Sequence, residues 1–365
     1  MTAETHNRIA KAYVSAFADE GSRAYIGNLE TAVGLHEWGE YILPLTVNHG
    51  ERGRTFVCSP RIGYIEYPIE ELSHFPNRAL APALRALIGS VGAVLSLCDI
   101  ERIVHVNNWM MSTNLPLDLD PSLTGRQTEF LVGQYPDHVL AMRSLTRRYN
   151  ARLMASLEAA GWVMLPSRQV FLIDDVARES LPRRDTKRDD KLWRRGAFAY
   201  EELAEIGAAD AARIVELYAM LYLEKYSRLN PAYTARFVTM THRIGMIRYL
   251  VLRDDEGTIQ GFGGMHHAGR HATMPLLGYN TRMDREHGLY RLAFHAGSLY
   301  AARHGLFFNM SSGATAFKRN RGATAEMEFT AFHLRHLKPA RRYPFEILRM
   351  VANHVGTPLL RRYRL

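Results

Sequence analysis

The chain has 365 residues, of which 47% are hydrophobic and 23% are charged. This length and composition are typical of a globular protein with room for two domains, and they exclude a chain that is disordered throughout. The longest apolar run, Ala86 to Cys98, is about half of what a membrane-spanning helix needs. The N-terminus lacks the layout of a signal peptide. We therefore expect no membrane span and a cytoplasmic location.

The chain contains two cysteines, Cys58 and Cys98. Two cysteines are too few for a disulfide framework, and neither has a second Cys or a His at metal-ligand spacing. The sequence thus predicts two buried thiols, no structural metal and no bound cofactor.

The net charge of +9 is concentrated at the C-terminus, because the segment 318–365 holds eleven Lys or Arg against three Glu. Such a basic tail can bind phosphates of a nucleic acid, of a nucleotide-linked substrate or of a coenzyme. It is equally well interpreted as a solvated basic face. The residues concerned downstream of the last predicted strand are Arg335, Lys338, Arg341, Arg342, Arg349, Arg361, Arg362 and Arg364.

The first half mixes strand and helix patterns. Phe56 to Cys58 and Ile62 to Tyr67 have the composition of short strands, and Arg143 to Ala160 has the apolar spacing of an amphipathic helix. Gly161 ends that helix, and Trp162 to Ile173 follows as two strand pieces interrupted by a turn at Pro166 and Ser167. A loop rich in amide side chains around Trp109 precedes this helix in the sequence. Such a loop is suited to binding a polar small molecule, although packing of Trp109 in the core also explains this residue.

A polar stretch of alternating charge, Arg178 to Arg195, is predicted to link the two halves. We accordingly expect domains at 1–177 and 178–365. The order of helix, glycine and strand occurs in both halves, which indicates two similarly built parts.

The second half carries the clearest pattern. Two strands, Tyr249 to Arg253 and Ile259 to Met265, are joined by a hairpin turn signal. A third strand at Pro275 to Asn280, a helix at Leu289 to Arg303 and a fourth strand at Leu306 to Met310 follow.

This order of elements resembles the acceptor half of GNAT-type acyltransferases. The resemblance implies an α/β protein with a tandem GNAT-like fold, mixed central sheets flanked by helices, and a catalytic C-terminal half. Such enzymes bind the coenzyme pyrophosphate in a loop at a helix N-terminus. The matching loop here is Arg285 to Tyr290, in which Arg285 and Gly288 fit the pattern and Tyr290 departs from it.

The segment 180–345 also resembles the second domain of Fem-type aminoacyl-tRNA transferases. The residues that carry this resemblance are Tyr279 and Asn280 at a strand end, the loop Ser311 to Ala314, and Lys318 followed by Gly322. The resemblance implies an aminoacyl-tRNA donor, a tRNA partner and an amine acceptor of small-molecule or precursor type. It also implies that Lys318 binds the donor.

A fixed cation such as Lys318 can stabilise negative charge that develops in acyl transfer; alternatively, it is a solvated member of the run with Arg319 and Arg321. Amide formation also needs a proton acceptor. The candidates are His266, His267, Glu326 and Glu328, and strand alternation aims one of each pair at a given face. We select His266 and Glu328. We further predict substrate binding by Tyr279, Asn280, Asn309, Ser311, Ser312 and Trp109, and phosphate binding by Arg285, Gly288, Arg319, Arg321, Arg341 and Arg342.

Other functional classes receive less support. The sequence has no G-x-S-x-G elbow, no P-loop and no G-x-G-x-x-G after a strand, which argues against hydrolases and nucleotide-dependent oxidoreductases. An acyl-CoA-dependent N-acyltransferase remains as an alternative donor chemistry. A non-catalytic module that binds RNA or a nucleotide-linked ligand remains as an alternative function.

Overall fold

The computed structural model describes residues 2–51, 53–75 and 77–363. The chain divides into two compact units, and each is assembled from separate segments. Unit 1 comprises Met1–Gly27, Val170–Arg228 and Ala232–Glu326, and unit 2 comprises Asn28–Gln169, Leu229–Pro231 and Met327–Leu365.

The described residues form eleven strands and thirteen α-helices. The strands are β1 (Ala32–Trp38), β2 (Tyr41–His49), β3 (Arg102–Val106), β4 (Val139–Thr146), β5 (Val163–Ile173), β6 (Ala199–Glu202), β7 (Ile247–Arg253), β8 (Ile259–Ala268), β9 (His271–Tyr279), β10 (Phe307–Asn309) and β11 (Thr324–His333). The helices are α1 (Ala3–Glu20), α2 (Ser22–Tyr25), α3 (Tyr67–Glu71), α4 (Ala81–Leu95), α5 (Thr124–Gln134), α6 (Arg147–Ala159), α7 (Arg184–Trp193), α8 (Ala208–Tyr218), α9 (Ala235–Arg243), α10 (Leu289–Arg303), α11 (Thr315–Asn320), α12 (Pro339–Val351) and α13 (Thr357–Tyr363). Four π-helical segments occur at Ile62–Glu66, Val176–Ser180, Ala219–Tyr226 and Ala352–Gly356, and 3-10 turns at Leu72–His74, Pro121–Leu123 and Arg285–His287.

The strands of unit 1 lie in the order β6-β7-β8-β9-β10-β5. The pairs from β6 to β9 are antiparallel, β9 and β10 are parallel, and β10 and β5 are antiparallel. The helix between the two parallel strands is α10, as a parallel connection requires. A Cβ at Gly297 of α10 would lie 3.1 Å from the Met274 sulfur and 3.3 Å from the Met265 sulfur. A glycine here therefore lets α10 pack closely on the sheet.

Unit 2 repeats the same pairing plan. Its strands lie in the order β1-β2-β3-β4-β11, with β1, β2 and β3 antiparallel, β3 and β4 parallel, and β4 and β11 antiparallel. Here α5 lies between the parallel strands in sequence. Both units thus contain a mixed sheet with helices, and the predicted α/β tandem fold is confirmed.

Each unit has its own hydrophobic core. In unit 1, buried side chains of β5, β7, β8, β9 and α10 form one cluster that includes Phe171, Leu250 and Phe308. In unit 2, one cluster contains Trp38 and Met142, and a second lies beneath α4 and α12. The predicted burial of Cys58 and Cys98 is confirmed, and burial raises the pKa of both thiols to about 11.

Four local predictions are wrong. Phe56 to Cys58 forms a turn, and Ile62 to Tyr67 is π-helical at Ile62–Glu66 and continues into α3 instead of forming a strand. The apolar spacing of Arg143 to Ala160 spans two elements, because β4 runs to Thr146 and α6 starts at Arg147. The structure also differs after Gly161, because one strand, β5, covers both of the predicted strand pieces. Short apolar runs do not distinguish a strand from a buried helix by spacing alone.

Candidate functional site

The two parallel strands of unit 1 separate at their carboxyl ends. Their pairing ends at Asn309 opposite Thr273, whereas β9 continues to Tyr279. The chain leaves β10 through Ser311 and Ala314, which have φ angles of 61° and 47°. Left-handed conformations of residues other than glycine are strained and cluster at functional sites. We call this region, between the end of β9 and the loop 311–314, the β9–β10 opening.

Lys318 lies beside this loop. Its Nζ donates to the carbonyl oxygen of Ser312 at 2.6 Å and to that of Ser311 at 3.2 Å. The ammonium lies 5.6 Å from the ring centroid of Phe171 and 6.0 Å from that of Phe294. Because Lys318 is only 2% exposed, it does not belong to a solvated basic face. The strained loop holds a positive charge at the end of the parallel strands.

Aromatic rings line the same part of unit 1. The ring of Tyr290, in the first turn of α10, lies 6.0 Å from Tyr279, 5.0 Å from Phe294 and 5.0 Å from Phe317. Burial raises the pKa of Tyr290 well above its usual value, and neighbouring tyrosines add to the shift. Tyr290 therefore remains a neutral phenol over the physiological pH range. Tyr290, the residue that departs from the expected loop pattern, thus belongs to the aromatic lining.

A second cation approaches these rings from the π-helical segment Ala219–Tyr226. The Lys225 Nζ donates to the Tyr279 hydroxyl at 3.3 Å, and it lies 5.9 Å from the ring centroids of Tyr279 and Tyr226. Both Lys225 and Tyr226 are exposed. Long π-helical segments are uncommon and frequently occur at functional sites. The rim of the β9–β10 opening thus combines an exposed cation with exposed aromatic surface.

The predicted pyrophosphate loop lies at the start of α10 and is covered by α7. Gly288 adopts φ 63°, and a Cβ there would lie 2.5 Å from Cδ2 of Leu192. The Asp189 carboxylate, whose side chain is 1% exposed, accepts from Nε of Arg291 at 2.7 Å and from Nε of Arg321 at 2.6 Å. The Asp189 carboxylate thus joins Arg291 of α10 to Arg321.

Arg321 is fixed by this arrangement. Besides the bond to Asp189, its Nη1 donates to the Phe317 carbonyl oxygen at 2.9 Å, and its guanidinium lies 3.5 Å from the Phe317 ring centroid. Arg319 is exposed and Arg285 is exposed in the 3-10 turn before Gly288. Phosphate binding by these residues stays a prediction, and the geometry favours the exposed side chains for it.

The asparagines predicted to bind substrate form hydrogen bonds at the ends of β9 and β10. The Asn309 Oδ1 accepts from the Ser311 N–H at 2.8 Å, which supports the turn out of β10. Asn280 donates from Nδ2 to Gln260 Oε1 at 2.9 Å and accepts from the Arg282 N–H at 3.1 Å. These bonds match Asx-type capping of loops. Their predicted contact with substrate stays a prediction.

The two proton acceptors selected from the sequence lie elsewhere. His266 is 3% exposed on β8, and its Nδ1 lies 2.9 Å from the Met246 carbonyl oxygen. Burial lowers the pKa of His266 to about 4. Glu328 belongs to unit 2 and accepts from Arg168, Nε to Oε1 at 2.8 Å and Nη2 to Oε2 at 3.3 Å. The role of His266 and Glu328 as proton acceptors stays a prediction.

The remaining predicted residues also belong to unit 2. Trp109 is 3% exposed, and its indole N–H donates to Asn107 Oδ1 at 2.9 Å. Arg341 donates to the carbonyl oxygens of Cys98, Asp99 and Asp137, so it joins the first turn of α12 to neighbouring loops. Arg342 is half-buried. Arg364 lies outside the described residues.

Sequence reasoning missed Lys225, Asp189 and Leu192. Lys225 comes three residues after Tyr222 and one before Tyr226, a signal that could have shown a cation among aromatic side chains on one helix. Asp189 sits in the alternating charges assigned to a linker. Its partners Arg291 and Arg321 are more than a hundred residues away in sequence, and local patterns do not report such pairs.

No three or more His, Cys, Asp or Glu side chains form a metal-binding group in 2–51, 53–75 and 77–363. In the same part of the chain, no helix has both the length and the apolar character to cross a membrane.

Known structures contain similar folds. The chain is similar to L-PGS from Bacillus licheniformis, with 12% identity and a TM-score of 0.49 over 70% of this chain and 82% of that one. It is similar to FemX, with 9% identity and a TM-score of 0.47 over 59% and 78%. It is also similar to a GCN5-related N-acetyltransferase from Kribbella flavida, with 12% identity and a TM-score of 0.36 over 64% and 81%.

No protein-family model matches the sequence, and no curated protein matches it.

Proposed function

We propose that the protein is an acyltransferase that forms an amide bond. In this proposal the β9–β10 opening takes an aminoacyl group from aminoacyl-tRNA and transfers it to an amine of a small-molecule or precursor substrate.

The observation that supports this donor is the cover over the start of α10. A coenzyme A donor needs the N–H groups of a helix N-terminus and small residues beside them for its pyrophosphate. In this chain Leu192 packs on Gly288, and the Asp189 carboxylate is fixed beside Arg291. A bound pyrophosphate would meet the apolar Leu192 side chain beside Gly288. A donor that needs no pyrophosphate site, such as an aminoacyl ester, fits the opening better.

The proposed reaction is aminolysis of an ester. The amine nitrogen attacks the ester carbonyl carbon, the C–N bond forms and the C–O bond to the ribose breaks. The amine loses a proton and the ribose oxygen gains one. Lys318, whose charge is fixed beside the loop 311–314, stabilises the negative oxygen that develops during the attack. The aromatic lining holds the donor and excludes water, so that positioning supplies much of the rate.

The donor is tested by supplying purified protein and a mixed amine pool with either charged total tRNA or acyl-CoAs. A parallel tRNA reaction contains RNase. We expect amide product with charged tRNA and none after RNase treatment. Product with acyl-CoA alone would overturn the donor assignment and support the acyl-CoA alternative. Specific RNA binding with no product from any donor would support the non-catalytic alternative.

A further inference from the structure

Helix α12, near the C-terminus, has two apolar faces. One face packs into the core of unit 2, where Phe345 is 1% exposed and Leu348 is 4% exposed. The other face carries Tyr343, Ile347 and Met350, which are 69%, 37% and 52% exposed. Their spacing of four and three residues puts the three side chains on one stripe of the helix. We call this stripe the α12 face.

The α12 face is unusual within the molecule. The described residues contain seven exposed large apolar side chains, and three of the seven lie on this stripe. Leu97, which is 77% exposed, lies next to Cys98, whose carbonyl oxygen accepts from Arg341 of the same helix at 3.0 Å. Isolated apolar side chains on a surface need no explanation, but a group of them marks an interaction site.

The chain segment that contains the α12 face is basic. From residue 335 to residue 350 the chain has five basic residues, Arg335, Lys338, Arg341, Arg342 and Arg349, against the single acid Glu346. Glu346 is already paired with Arg349, Nε to Oε2 at 2.6 Å. Arg335 is exposed and Arg342 is half-buried. The partner of this surface must therefore accept apolar side chains and carry negative charge.

We infer that the α12 face binds the surface of a membrane that contains anionic lipids. A helix that presents apolar side chains on one stripe and basic side chains beside it lies in the plane of the lipid headgroups, where the apolar groups reach the acyl boundary and the cations meet phosphates. Binding is peripheral and needs no spanning helix.

Two other partners fit less well. RNA would accept the cations, but it offers no apolar surface to Ile347 and Met350, since nucleic acids bind proteins through phosphates, base edges and stacking on aromatic rings. A second copy of the chain would cover the stripe, but it would bring two basic surfaces together, and juxtaposed like charges are unfavourable.

Flotation with phospholipid vesicles tests the inference. The full-length protein is mixed with vesicles of phosphatidylcholine and phosphatidylglycerol in a 7:3 ratio (about 30% anionic lipid, a surface that attracts basic residues) or with phosphatidylcholine alone. We expect binding to the anionic vesicles that weakens as salt is raised, and at least about tenfold weaker binding for the triple variant Y343S/I347S/M350S. The matched control is L35S/F130S, which removes exposed apolar side chains elsewhere in unit 2 (43% and 54% exposed) and should bind as the wild type does.

Circular dichroism of each variant checks that it is folded. Equal binding of the triple variant and the wild type would overturn the inference. So would wild-type protein that ignores both vesicle types and instead forms dimers by sedimentation, with the dimer lost in the triple variant. Binding of a short RNA that depends on Tyr343, Ile347 and Met350 in the absence of vesicle binding would also overturn it.

Discussion

The two units separate their parallel strands in the same way but fill the resulting opening differently. In unit 2, pairing of β3 and β4 ends at Val106 opposite Met142. The next residue of β4, Arg143, donates from Nη1 to the Val57 carbonyl oxygen at 3.1 Å, to Asn108 Oδ1 at 3.2 Å and to the Met111 carbonyl oxygen at 3.4 Å. The loop after β3 is thus tied to the strand beside it.

In unit 1 the corresponding place has half-buried rings, a fixed ammonium and exposed residues at its rim. In unit 2 the Arg143 guanidinium donates to groups of the loops beside it and lies over one ring, that of Phe56. In unit 1 the Lys318 ammonium also donates to two carbonyl oxygens, and it lies near the rings of Phe171 and Phe294. The proposed function assigns chemistry to the second arrangement, and the predictions below test that assignment.

The largest effect should come from Arg168→Met in unit 2. This side chain is bonded to Glu328, to the Ser112 carbonyl oxygen at 2.5 Å and to Thr113 Oγ1 at 3.0 Å. Removing one partner of a buried pair leaves an uncompensated charge, so we expect the free energy of unfolding in urea to fall by about 3–5 kcal/mol. The control E158Q breaks the exposed pair Arg147–Glu158 and should cost about 0–1 kcal/mol.

A variant R168M or E328Q that keeps its stability but loses turnover would break the comparison, because it would give unit 2 a catalytic role and restore Glu328 as a proton acceptor.

The next effect is expected for Lys318→Met in unit 1. Loss of one preorganised group that stabilises the developing oxyanion typically lowers kcat by about 10²–10³-fold. Turnover and donor binding are measured separately, and we expect lost turnover with retained binding. Arg319→Met, which changes the exposed neighbour, is the matched control. Unchanged turnover in K318M would remove the cation from the mechanism.

A smaller effect, common to both units, is expected on lowering the pH. Burial is the main cause that lowers the pKa of His266 in unit 1 and of His333 in unit 2 to about 4. The neighbours His267 and His6 add to the shift at His266. The neighbours His336 and Arg335 add to the shift at His333. The unfolded chain binds protons at these two groups near pH 6.5, whereas the folded chain binds them near pH 4. The contribution of the two histidines to the free energy of unfolding is therefore constant above about pH 6.5 and falls between about pH 6.5 and 4. Each group should cost about 2 kcal/mol at pH 5.

Urea unfolding at pH 7 and pH 5 measures this loss. H266N and H333N should each reduce the difference between the two pH values, whatever their stability at pH 7. An unchanged difference in one variant would show that its histidine does not contribute to the loss of stability in acid.

The smallest effect is expected for Lys225→Ala at the rim of the β9–β10 opening. The hydrogen bond to Tyr279 is exposed, and a typical bond of this kind contributes about 0.5–1.5 kcal/mol. We expect KM for the donor to rise by less than about tenfold with little change in kcat. Lys11→Ala, an exposed lysine of α1 in the same unit, should leave both constants unchanged. A large fall in kcat would place Lys225 in the chemistry itself.

The order of elements along the chain from β7 to β10 was predictable, because these elements are close in sequence. The hairpin turn, the helix limits Leu289 and Arg303 and the following strand all carry local signals, and the structure has the same order. Unit 2 was less predictable, since Ile62–Glu66 is π-helical in spite of a strand-like composition. Tertiary packing overrides local preference in such short apolar segments.

The sequence singles out Lys318 because a family pattern names this residue, and its role stays a prediction. The sequence does not indicate side-chain pairs that form over long sequence separations. Asp189 contacts Arg321 across 132 residues, and Arg168 contacts Glu328 across 160 residues. The sequence alone does not distinguish Arg319 from Arg321, because both are basic residues in one short segment. In the fold Arg321 is buried and paired with a carboxylate, whereas Arg319 is exposed.

Two strands cross the boundary between the units: β5 starts in unit 2 and ends in unit 1, and β11 starts in unit 1 and ends in unit 2. During synthesis on the ribosome, the sheet of unit 2 therefore cannot be completed until β11, near the end of the chain, has been made. Long-range pairing of this kind is slow to form, and an unpaired strand edge is prone to aggregate while it waits. Nascent chains released before residue 333 should thus need chaperones, and truncation near the C-terminus should harm the half of the protein that is made first.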